Sequence, residues 1–88
     1  MHGGVVASLA DSAAAFAAIT LLAPNEQTVT VDMTLHFLRP VRRGRVTARA
    51  RVLRAGRRLL TIAVEVTDES GKLTATMLTT YARILRDG

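Results

Sequence analysis

Between Gly3 and Asn25 the chain carries one ionisable side chain, Asp11, in a run made mostly of Ala, Val and Leu. That run predicts a helix over about residues 4–23, opening after His2-Gly3-Gly4. Pro24 cannot extend it and turns Ala23 away from helical geometry. The run is apolar on nearly every side, so the helix is expected to be buried, with the rest of the chain wrapped around it. An unpaired carboxylate is costly in such a core. Asp11 therefore either occupies a narrow solvent-facing strip or lines a site.

After Asn25-Glu26 the period changes from helical to alternating, over about 27–38, 45–54, 58–68 and 72–84. In the first run Val29, Val31, Met33, Leu35 and Phe37 are expected on one face, with Thr28, Thr30, Asp32, Thr34 and His36 opposite. The second places Val46, Ala48, Ala50 and Val52 against Arg45, Thr47, Arg49 and Arg51. Leu60, Ile62, Val64 and Val66 point inward from the third, and Leu73, Ala75, Met77, Thr79 and Tyr81 share a face of the fourth. Ala55-Gly56-Arg57 and Asp68-Glu69-Ser70-Gly71 read as tight turns, which favour an antiparallel sheet. A long apolar helix followed by an antiparallel meander predicts one α+β domain over residues 1–88, with the sheet wrapping the helix.

Several function classes drop out. With no cysteine there is no disulfide, thiolate metal site or Cys nucleophile, and two histidines are too few for a His-based cluster. No metal and no cofactor is expected. Nine of eleven Arg fall between Arg39 and Arg58, and the net charge is +5. That density suggests an anionic partner, nucleic acid or a small phosphorylated ligand, or else a plain solvated basic face. Three aromatic residues offer few stacking platforms, which argues against nucleic acid. The apolar run approaches the length of a membrane span, but it is Ala-rich, contains Asp11 and has no Lys or Arg before it. No membrane segment or signal peptide is expected, and the predicted location is cytoplasmic. A lone core of 88 residues is marginal, so self-association is expected.

The run His2-Gly3-Gly4-x4-Leu9-x-Asp11 followed by an Ala-rich helix resembles the hotdog-fold acyl-CoA thioesterases. The resembled branch contains phenylacetate-pathway thioesterases and 4-hydroxybenzoyl-CoA thioesterase. Val29-Thr30-Val31-Asp32-Met33, Leu38-Arg39-Pro40 and the hairpin from Glu65-Val66 to Gly71-Lys72-Leu73 are similar to it too, so the resemblance covers residues 2–84. It implies a hotdog fold, hydrolysis of an acyl-CoA thioester to acid and CoA, and a homodimer or dimer of dimers. Members of that family carry a further segment before the His-Gly-Gly, with an edge strand and often a catalytic Asn. This sequence begins at Met1, which leads us to expect a shortened chain with one sheet edge exposed.

Such hydrolysis needs a polarised carbonyl and an activated water or a carboxylate nucleophile. Backbone N–H groups around Gly3 and Gly4, at a helix N-terminus, can donate to a developing oxyanion. Asp11 suits the general base or nucleophile. The resemblance implies the same roles for Gly3 and Asp11, and adds His2 as an orienting group and Thr30 as a water-positioning one. Eight residues of helix separate Gly3 from Asp11, roughly 12 Å at about 1.5 Å per residue. One carbonyl cannot touch both, so a working site must take Gly3 from one subunit and Asp11 from another. Arg57 and Arg58, with Arg54 and Arg42 behind them, are the candidates for the phosphates of CoA. His36 and Asp32 are read as hydrogen-bonding residues of the strand surface or dimer interface. The competing reading is a non-catalytic acyl-CoA-binding or structural hotdog dimer. A hydratase fits the Gly pair and helical Asp poorly, and an Arg-mediated nucleic-acid binder fits least.

Overall fold

The computed structural model describes residues 3–40 and 44–86. Its elements are helix α1 (Gly3–Ile19) and strands β1 (Glu26–Phe37), β2 (Val46–Ala55), β3 (Leu59–Asp68) and β4 (Leu73–Leu85). The strands form one antiparallel sheet in the order β1-β4-β3-β2, so β1 and β2 are its edges. One helix against a four-stranded antiparallel sheet is the expected α+β arrangement. The expected inward residues of β3 all lie in the core, and Ala75, Met77, Thr79 and Tyr81 are buried on β4; Leu73, expected with them, pairs with Thr67 beyond a shift of register, and Thr74 is buried instead.

The helix meets the sheet through Val6, Ala10, Ala14 and Ala18. Alanine at three of these four positions keeps side chains short and lets the helix backbone approach the Leu60-Ile62-Val64-Val66 row closely. Burial stops at that stripe: Phe16 is 73 % and Ile19 64 % exposed. The expectation of a helix buried all round is thus corrected, because a single sheet covers only one side of a cylinder. The helix also stops at Ile19 rather than 23. Its last turn tightens, with Leu21 N–H donating to the Ala18 carbonyl and Leu22 N–H to the Ile19 carbonyl. The Thr20 hydroxyl meanwhile donates to the Ala17 carbonyl, the local back-bonding that weakens helix continuation.

The register of β1 departs from simple alternation. Thr30 pairs with Tyr81, and the next pairs are Asp32 with Thr80 and Met33 with Thr79, leaving Val31 as a bulge. Residues paired across a ladder point to the same side. Thr28 and Thr30 therefore share the helix-facing side with Met33, Leu35 and Phe37, while Val29 turns outward opposite Ala82. One extra residue flips every side chain before it, so the expected grouping of Thr30 with Asp32, Thr34 and His36 does not hold.

The helix lies chiefly over β2 and β3. The helix-facing side of β1 is consequently open, with Met33 42 % and Phe37 54 % exposed. At the β3–β4 turn the Asp68 carboxylate accepts from Ser70 N–H, the Ser70 hydroxyl and Lys72 N–H. Gly71 there has φ +86°, a conformation that glycine adopts without a Cβ penalty.

Candidate active site

Asp11 lies about 100° round the helix from Ala10, beside the buried stripe and on the flank away from Ala13 and Ala17. Its side chain is exposed in the single chain. Facing it from β4 is Tyr81, 4 % exposed. The Tyr81 hydroxyl oxygen is buried. Burial pushes its pKa above the usual tyrosine range, the Asp11 carboxylate pushes in the same direction, and a hydrogen bond with the Thr79 side chain works against both. Thr79 itself donates to the Asp32 carbonyl at 3.0 Å. Thr30 pairs with Tyr81 in the ladder. Thr30 is thus the β1 neighbour of Tyr81 on the helix-facing side, and the Asp11 charge is felt at the Tyr81 hydroxyl.

The bulge at Val31 brings Thr30 there. A strictly alternating β1 would put it on the opposite face of the sheet, so grouping Thr30 with Asp32 and His36 misplaces it. Asp32 and His36 point outward, and His36 borders a shallow depression of about 380 Å³ with Arg51 and Glu65 on the far face. Alternation marks Tyr81 simply as an inward residue. The signal that singles it out is chemical, since a tyrosine among inward apolar positions brings a hydroxyl that needs a partner.

Gly3 opens α1, where backbone N–H groups and the positive end of the helix dipole point outward. Gly4 follows in the first turn. Gly3 and Asp11 stand two turns apart on one helix, so within a single chain they do not form one site. His2 lies outside the described residues. Among those described, no group of three His, Cys, Asp or Glu side chains could hold a metal ion.

Arg54, Arg57 and Arg58 come together around a depression of about 310 Å³ at the β2–β3 turn. This end of the sheet carries the row Ala55, Leu60, Tyr81 and Thr30. Arg54, on β2, is three strands from Thr30, roughly 14 Å at about 4.8 Å per strand, while Arg58, whose carbonyl accepts from Arg83 N–H, is two strands from β1. Arg42 lies outside the described residues. Arg83 closes the neighbouring corner: its Nη1 donates to the Leu21 carbonyl at 2.8 Å and to Glu26 Oε1 at 3.1 Å, and Nε donates to the Gly56 carbonyl at 3.3 Å. The Ala23 N–H bond and then Arg83 hold the Glu26 carboxyl below its usual range.

The Thioesterase superfamily profile matches residues 1–75, and the chain belongs to that family. It is 31 % identical over 94 residues to the medium/long-chain acyl-CoA thioesterase YigI of Salmonella typhimurium, covering 92 % of this chain and 61 % of that one. Among solved structures, a thioesterase from Haemophilus influenzae superposes with a TM-score of 0.89 at 33 % identity, over 97 % of this chain and 59 % of the other. A variant of the phenylacetic acid degradation protein PaaI from Thermus thermophilus gives 0.84 at 39 %, over 94 % and 69 %. The chain spans about half the length of the curated relatives it matches. The hotdog fold implied by the sequence is the fold of these neighbours.

Proposed function

We propose that the protein hydrolyses acyl-CoA thioesters at a site shared between two copies of the chain. In this mechanism Asp11 takes a proton from water as the water oxygen adds to the thioester carbonyl carbon. The Gly3 N–H of the second copy stabilises the oxyanion. Collapse breaks the C–S bond, and the departing thiolate receives the proton from Asp11, leaving a free acid and CoA. Thr30 positions the water, Gly4 binds the substrate, and His2 helps to orient the site. Arg54, Arg57 and Arg58 take the phosphates as guanidinium forks.

The observation that carries this reading is an exposed Asp11 carboxylate on the helix that Gly3 opens, with the apolar helix-facing side of β1 left uncovered. An accessible surface larger than that of a compact monomer supports a partner. Its accessible area is 6079 Å² at 9.5 kDa, roughly 1000 Å² more than a monomer of that mass shows. Its radius of gyration is 14.0 Å, against about 12 Å for a compact domain of this length. An excess of that size exceeds the ~800 Å² that each partner buries in a standard interface. The open side of β1 and its free edge are where a second copy fits, next to Asp11. The acyl-CoA thioesterase activity in the name of the YigI relative supports the substrate class.

Release of free thiol from a panel of acyl-CoAs tests the proposal, with wild type and Asp11→Asn compared at equal dimer content. Loss of turnover in Asp11→Asn is expected, while CoA binding without turnover in the wild type would mean a binding module instead.

A further inference from the structure

We infer that Arg83 is a positioning residue for substrate binding: it holds the backbone of the turn from which Arg57 and Arg58 reach the CoA phosphates. This rests on the reading that those two arginines take the phosphates.

Arg57 sits between two backbone carbonyls, those of Gly56 and Arg58, and both accept from Arg83. Its Nε donates to Gly56 at 3.3 Å, and its main-chain N–H donates to Arg58 at 2.7 Å. Within the turn itself, Gly56 N–H donates to the Leu59 carbonyl at 2.9 Å. The far end of the same guanidinium is anchored elsewhere. Nη1 donates to the Leu21 carbonyl, just past α1, at 2.8 Å, and to Glu26 Oε1 at 3.1 Å. Glu26 Oε1 also accepts from Ala23 N–H at 2.8 Å. One side chain thus ties the arginine turn to the helix exit and to the start of β1. Arg83 is suited to this task by burial, its side chain being 17 % exposed, whereas Arg57 and Arg58 are exposed. Among the described residues those two form no ion pair, which leaves them to an anionic ligand. Arg57 and Arg83 line one depression of about 350 Å³ together with Glu26. Glu26 offsets the charge of Arg83 there, so Arg83 serves as scaffold and Arg57 as phosphate ligand. A long side chain loses rotamer freedom when it grips a ligand. A loose backbone beneath it would add to that loss, and the fixed carbonyls on either side of Arg57 remove the addition.

Thiol-release kinetics on Arg83→Lys and Glu26→Gln test this, with circular dichroism confirming the fold of each variant. Lysine keeps the charge but not the planar fork that holds Gly56 and Leu21 at once. In Arg83→Lys, KM for acyl-CoA is expected to rise about fivefold with kcat within about twofold. A thioester lacking the nucleotide should keep its KM. Glu26→Gln, the milder change, weakens the anchor and should raise KM about twofold; a phosphate-binding Arg83 released from its counter-ion would lower KM instead and overturn the inference. In the Arg57→Ala/Arg58→Ala background, Arg83→Lys should add nothing, because it acts through those side chains. A further rise in that background would make Arg83 an independent contributor and overturn the inference too. Wild-type KM in Arg83→Lys and Glu26→Gln, with Arg57→Ala/Arg58→Ala raised, would sink it and leave the phosphate assignment standing. Wild-type KM in Arg57→Ala/Arg58→Ala would remove that assignment, and this inference with it.

Discussion

Leu60→Ala probes the layer on which the site rests. Leu60 is fully buried, with Ala55 beside it on β2 and Tyr81 on β4. Removing about three carbons forfeits roughly 2.4 kcal/mol of transfer energy at about 0.8 kcal/mol each. The void adds to this, because the alanine face of the helix has no long side chain to swing into it. The total should be about 3–4 kcal/mol, within the range for buried Leu→Ala changes. A domain of 88 residues has about 4–13 kcal/mol in all, so the loss is a large fraction. It corresponds to a fall of roughly 15–25 °C in melting temperature. Guanidinium unfolding followed by circular dichroism at fixed protein concentration measures it, and the m-value should stay unchanged. Leu78→Ala is the control. Leu78 lies on the same strand as Tyr81 but points outward and is 46 % exposed, so it should cost less than about 1 kcal/mol. Equal losses for Leu60→Ala and Leu78→Ala would refute the assignment of faces.

Gly71 has φ +86° with open space where a Cβ would go, so Gly71→Ala should cost about 1 kcal/mol from backbone strain alone, read as a drop of about 4–8 °C in melting temperature. Asp68, bonded first by the Ser70 hydroxyl and then by Lys72 N–H, sits below 3.8, and Glu26 sits below 4.5. Depressed carboxyls stabilise above their unfolded values and stop doing so as pH falls through the folded ones. Stability should therefore decline from about pH 4.5 downward, and Asp68→Asn should flatten that decline in acid-unfolding curves. Tyr81 acts at the other end: a raised folded value means stability is full below pH 10.0 and falls above it. Replacing Arg57 and Arg58 together by Ala should raise KM for acyl-CoA about tenfold, most strongly at low salt. Hydrolysis of a thioester lacking the nucleotide should be unaffected.

The strands are largely legible in the sequence because β3 alternates strictly and β4 does so after Thr74, where its register with β3 shifts and Thr74 and Ala75 are both buried. The antiparallel order follows from the short turns at Gly56 and Gly71. Two features are hidden for physical reasons. The bulge at Val31 lies in a Val-Thr alternation that looks the same in either register, so only pairing with β4 reveals that Thr30 faces the helix. The exposure of Phe16 and Ile19 is equally hidden, since an apolar helix looks the same whether its own sheet or another surface covers it. Asp11 stands out as the lone charge in its run, and Gly3 through its place at the helix start.

The proposed site needs Asp11 from one copy and the Gly3 N–H from another, and mixing Asp11→Asn with Gly3→Pro, which removes that N–H at a helix start that tolerates proline, tests that most directly, each variant alone being expected inactive. In a dimer that combines the two chains, one of the two sites keeps both intact groups. Random reassociation of equal amounts should then restore about a quarter of wild-type thiol release, as an isologous two-fold arrangement requires. No recovery in a mixture shown to contain the mixed dimer would contradict the shared site.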